Sequence, residues 1–185
     1  LWDRDGSSSG IGVYGLMGRG AWGGDGASPE RPVHPSAYSK ALAGWITPDV
    51  VTAPETAASL PAVETNPTAR EFRRASPCAH EEYFLLANRQ ATGFDANLPG
   101  NGLLVWHADD ARETNEDESR PRLALVPGDD LFGLDNGRNG GDGGDVWPGT
   151  GNARSWDDDT APDARRWGDR PTGASFTNLS DSADP

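Results

Sequence analysis

Cysteine is almost absent: Cys78 is the only one in 185 residues. That excludes an internal disulfide framework and any multi-cysteine zinc site, and Cys78 itself reads as a lone structural thiol, since no cysteine-protease context accompanies it. Methionine is as scarce, with Met17 alone. Positive charge is short, 16 Lys and Arg against 29 Asp and Glu, for a net charge of −13. A surface so acidic argues against a nucleic-acid or anionic-membrane partner and leaves cation binding open. Long apolar runs are missing too, and none approaches the roughly 18 residues of a membrane-spanning helix. The hydrophobic fraction is 35%.

What is plentiful is punctuation. The 24 Gly and 15 Pro imply many turns and few long regular elements. Seven Trp outnumber five Phe and three Tyr, so large aromatics are expected to supply much of the core. The length suits one ordinary domain.

Local signals place a few elements. Ser36 caps a short helix over 36–45, "SAYSKALAGW", with Gly44 near its stop. The spacing of Tyr38, Leu42 and Trp45 predicts one buried face. "WITPDVVT" reads as a short strand interrupted by Pro48, and residues 53–80, rich in Ala, Pro, Thr and Glu, as a variable excursion. "EEYFLLANRQ" (81–90) and "GLLVWHAD" (102–109) read as strands, and the turn-rich stretch between them predicts an antiparallel pair. "RLALVPG" (122–128) gives another strand and "GASFTNLSD" (173–181) a closing one, with Asn178 of the "NLS" sequon inside it. The fold class is α+β and strand-rich, with long Gly- and Asp-rich loops. The chain divides into 1–52, 53–80 and 81–185, the last being the β-rich portion.

Two loops are candidates for a hard cation. In "NGGDGGDVWPG", Asp142 and Asp145 flank glycines that let carboxylates and carbonyls converge. In "DRDGSSS", Asp3 and Asp5 alternate with small residues and give a weaker version of the same pattern. The competing reading for both is Asp-Gly turn chemistry. Of the histidines, His34, His80 and His107, none has a partner at zinc-helix spacing, and His107 reads as a hydrogen-bonded structural residue.

Four blocks, in order, resemble the M6 family of zinc metallopeptidases, the immune-inhibitor-A-like enzymes. "LWDRDGSSSGIGVYGLMGRGAW" is similar to the family segment after the zinc helix. "HPSAYSKALAGWITP" is similar to S-A-x-x-K-x-x-x-G-W-x-x-P, and "EYFLLANRQATGFDANLPGNGLLVWHADD" to E-Y-F-L-x-E-N-R-Q…G-L-L-I-W-H-I-D-E. "GGDGGDVWPGTGN" is similar to a G-D-x-G-D-x-F-P-G block. Ala87, Ala108, Asp110 and "LVPGDD" depart from the pattern.

The resemblance implies the later part of a metzincin-like peptidase domain, secreted and acting on protein or peptide substrates. It implies that Met17 forms the Met-turn, an apolar floor under the metal. It also implies zinc as cofactor, with the H-E-x-x-H ligands upstream of Leu1, no catalytic residue in this chain and no activity of the chain alone. Calcium remains an expectation of the two acidic loops. The alternative reading is a non-catalytic, calcium-stabilised β-rich binding module whose exposed tryptophans face a partner.

Overall fold

The computed structural model describes residues 1–73 and 82–181. Cys78, His80 and the first residue of the 81–90 strand expectation, Glu81, lie outside them. Among the described residues five strands form one mixed sheet in the order β1 (Asp49–Val50), β2 (Arg70–Phe72), β3 (Glu82–Arg89), β4 (Gly102–Asp109) and β5 (Leu123–Val126). β1 and β2 run parallel, and every other neighbouring pair is antiparallel. Among the described residues one short α-helix and three 3₁₀ turns accompany the sheet, and the chain is α+β and strand-rich. Among the described residues no helix is long and apolar enough to cross a membrane.

β3 and β4 pair over their whole length, from Glu82↔Asp109 to Arg89↔Gly102. All eight residues of β4 are buried, as are seven of the eight in β3. A strand covered on both faces shows no polar alternation, and here two separate cores account for it. On one face Tyr83, Leu85, Leu104, Trp106 and Leu125 pack against Ile11, Tyr14 and Tyr38. On the other, Phe84, Leu86, Val105 and Val126 pack against Trp147 and Trp156. The amino-terminal loops, joined by Leu134 and Val146, thus cover one side of the sheet, and the loops carrying Trp147 and Trp156 cover the other. Trp106, Trp147 and Trp156 are fully buried, whereas Trp2, Trp22 and Trp45 are exposed, so the aromatic core is built from fewer of the tryptophans than the composition suggests.

The α-helix, α1 (Ala37–Leu42), starts as expected, with the Ser36 hydroxyl accepting the Ser39 N–H. Its buried stripe differs. Ala37 and Tyr38 are buried and Ala41 packs beside them, but Leu42 and Trp45 face solvent. Six residues make less than two turns, and the chain leaves the helix at Gly44 (φ +71°), so Trp45 never shares the face of Tyr38. The closing strand does not form either. Gly173 and Asn178 take positive φ, +73° and +54°, which interrupts an extended run. Only Phe176 pairs, through a single bridge to Trp156.

Candidate functional site

Met17 sits in a turn closed by the Gly18 N–H donating to the Gly15 carbonyl at 2.9 Å. The glycines are required by crowding. A Cβ on Gly15 would stand 2.5 Å from Ile11 Cδ1, and one on Gly18 would stand 2.7 Å from the Gly12 carbonyl oxygen. The turn is pressed onto its own supporting chain, and the Met17 side chain projects outward, 57% exposed. Beside it, the Leu16 N–H donates to the His34 carbonyl, and the His34 ring meets the exposed Phe94 edge-on at 6.2 Å.

Support comes from beneath. Arg89, at the end of β3, is buried and donates through Nε and Nη2 to Asp95 Oδ2 at 2.9 and 2.7 Å. Its Nη1 donates to the Tyr14 carbonyl at 3.1 Å, and its Nε lies 3.3 Å from Glu64. Asp95 also accepts the His34 N–H at 2.9 Å. One guanidinium therefore fixes both the chain entering the Met17 turn and the segment that flanks it. Burial and a hydrogen bond shared with Asp95 push the Glu64 carboxyl up, against the Gln90 N–H and the Arg89 charge, which favour the ionised form.

The acidic glycine-rich loop places Asp142 and Asp145 close together but turns their oxygens inward. Asp145 Oδ2 accepts the Asp142 N–H at 2.7 Å, Asp142 Oδ1 accepts the Gly144 N–H at 2.8 Å, and Asp142 Oδ2 accepts from Asn139 at 2.6 Å. These carboxylates staple the loop. The loop in turn packs on residues 9–14: Val13 N–H donates to Gly140 O, and the Tyr14 hydroxyl donates to Asp142 O. Burial pushes the Asp145 carboxyl up to about 7, with Asp142, Asp129 and Asp135 adding repulsion against the hydrogen bond from Asp142.

A raised acid means the folded state holds a proton that the unfolded chain has released. The stability linked to Asp145 is therefore complete below the ordinary value of 3.8 and is lost as pH rises through about 7. Asp145→Asn keeps an acceptor for the Asp142 N–H and removes the charge. It is expected to flatten the fall in melting temperature between pH 4 and 7 and to stabilise the chain at pH 7.5 by on the order of 2 kcal/mol. Thermal melts in chelator check this, and an unchanged pH slope refutes it.

His107, on β4, is buried, with Nε2 3.1 Å from Glu82 Oε1, and its ring lies between Phe84 and Trp167, both at 4.3 Å. Burial holds the imidazole below its usual range despite the neighbouring carboxylate. Burial raises Glu82, but hydrogen bonds from His107 and the Trp167 N–H, with Arg120 nearby, outweigh it and leave the carboxyl low. The partner of His107 is thus Glu82, directly across the sheet from Asp109.

Among the described residues a single group of three carboxylate, histidine or cysteine donors lies close enough to share an ion: Asp3, Asp5 and Glu118, with one oxygen of each within 4.8 Å of the others. Asp3 and Asp5 are legible in the sequence, but Glu118 is not. Asp142 and Asp145 have no third donor of this kind among the described residues, and no such group includes His34 or His107. Comparisons with protein-family models, curated proteins and solved structures find no match to the chain.

Proposed function

We propose that this chain is part of the catalytic domain of a secreted, M6-like zinc metalloendopeptidase, in which Met17 provides the floor beneath the metal. One observation carries the reading. The chain's single methionine is 57% exposed, yet it stands on a turn clamped from below by a buried guanidinium. The reading requires that polypeptide laid on top cover this side chain, because a Met17 left facing water in the whole enzyme would overturn it.

When bound in such an enzyme, zinc acts as a Lewis acid and activates water. The described residues of this chain do not assemble a donor set for it, since neither described histidine joins a three-donor group. On this reading the ligands come from polypeptide preceding Leu1, and residues 12–34 shape the floor and wall of the cleft that receives the peptide.

The purified 185-residue chain is expected to release no peptides from casein with or without added zinc, and to retain no stoichiometric zinc after desalting. The coding sequence ahead of Leu1 is expected to encode a helix with H-E-x-x-H. Chelator-sensitive hydrolysis by the chain alone, or an upstream sequence without that helix, overturns the proposal. The second reading, a binding module, draws on Trp2, Trp22 and Trp45, which are 53%, 55% and 66% exposed. A glycan-array signal abolished by replacing these tryptophans, together with no upstream zinc helix, favours it.

A further inference from the structure

The loop "DRDGSSS" turns back on itself so that its carboxylates approach one another. Asp3 Oδ2 accepts the Ser8 N–H at 2.7 Å, and Asp5 Oδ1 accepts the Ser7 N–H at 3.0 Å. Glu118 arrives from the loop joining β4 to β5. Buried Asn115 anchors that loop, exchanging two hydrogen bonds with the Leu123 backbone at 2.8 and 3.1 Å and reaching the Leu1 carbonyl at 3.5 Å. The meeting of Glu118 with Asp3 and Asp5 is therefore imposed by a buried polar tie.

Three features of this meeting are unbalanced. Asp3 is only 4% exposed, and its second oxygen, Oδ1, is buried without a hydrogen-bond partner. A buried carboxylate oxygen in that state is costly unless an ion or donor faces it. The Ser7 hydroxyl touches all three carboxylates, 2.6 Å from Asp5, 3.4 Å from Asp3 and in contact with Glu118. One hydroxyl proton serves only one of them. Among the described residues, no lysine, arginine, histidine or terminal amine forms an ion pair with Asp3, Asp5 or Glu118. Arg4 points to Glu116 instead.

We propose that Asp3, Asp5 and Glu118, with the Ser7 hydroxyl, bind one calcium ion. The donors are all hard oxygens, which suits calcium or magnesium and disfavours zinc. The set is irregular and comes from two separate loops, so it fits the flexible coordination of calcium better than the strict octahedron of magnesium, with water completing the shell. The ion supplies the charge missing from the cluster and offers a partner to the unsatisfied oxygen of Asp3. It also latches the amino-terminal loop to the β4–β5 loop. This inference stands whether or not the chain belongs to a peptidase.

The test is a calcium titration of the 185-residue chain by calorimetry, with terbium as a luminescent substitute excited through Trp2, the neighbour of Asp3. One saturable site is expected, with an affinity falling at least about tenfold in both Asp3→Asn and Glu118→Gln and a higher melting temperature in calcium. Asp142→Asn is expected to bind like the parent chain, and Trp2→Phe to lose the sensitised emission. Glu118 is exposed, so Glu118→Gln reads the site even if Asp3→Asn fails to fold. Unsaturable binding, parent-like affinity in Glu118→Gln, a loss seen only in Asp142→Asn, or magnesium binding as tight as calcium each overturns the proposal.

Discussion

Arg89→Met is expected to destabilise the chain by about 3–5 kcal/mol, the loss seen when one partner of a buried ion pair is removed. The guanidinium is 1% exposed and Asp95 is completely buried. With Arg89 gone, Asp95 keeps a buried charge facing an apolar side chain, and the Tyr14 carbonyl loses its donor. Each kcal/mol lowers the melting temperature of a chain this size by about 2–4 °C, so a drop of at least about 6 °C is expected in tryptophan-monitored melts. Replacing Arg89, Asp95 and Glu64 together by apolar residues of similar volume is expected to recover much of that loss, because then no charge is stranded. If Arg89→Met melts like the parent chain, the network is not what holds these loops.

The same substitution bears on the proposed function. Arg89 belongs to the "ANRQ" motif at the end of β3, and through Tyr14 it reaches the chain that enters the Met17 turn. Its nearer carboxylate partner is supplied six residues later, at Asp95, which also fixes His34. A motif that reads in sequence as the polar end of a strand is in the fold the anchor of the surface opposite it. Loosening that anchor would disorder the floor on which the peptidase reading depends without touching Met17.

What the sequence disclosed followed from local chemistry. Ser36 marks the start of α1 because a serine side chain caps a helix without help from distant residues. Residues 82–89 and 102–109 become paired strands because both are rich in strand-forming residues and a turn-rich stretch joins them. Part of what it concealed depended on partners far along the chain. Glu118 meets Ser7 across 111 positions, so no spacing rule could join it to Asp3 and Asp5. The staples of Asp142 and Asp145 lie within their own loop, where an Asp-Gly pattern reads equally as turn or ligand. Leu42 and Trp45 misled because helical spacing carries meaning only while the helix lasts, and Gly44 ends it. Residues 173–181 had the composition of a strand, but the positive φ of Gly173 and Asn178 breaks the extended run, leaving one bridge at Phe176 and a backbone bond from Leu179 to Arg154.

The carboxy-terminal loops are expected to depend most on Trp147. Its backbone pairs with Leu103 at 2.8 and 2.9 Å, its indole N–H donates to the Val126 carbonyl at 3.0 Å, and its ring meets Phe176 edge-on at 5.3 Å. One residue thus ties the start of β4, the end of β5 and the covering loops together. Trp147→Ala leaves a cavity in the second core and strips the donor from Val126, which predicts a loss of about 3–5 kcal/mol. Trp147→Phe keeps most of the apolar volume and the edge contact but loses the hydrogen bond, and is expected to cost about 1–2 kcal/mol. Denaturant midpoints for the two variants separate the contributions. Equal losses would mean that the indole N–H, rather than the filled volume, holds the loops to the sheet, while a silent Trp147→Ala would remove this residue from the account of the core altogether.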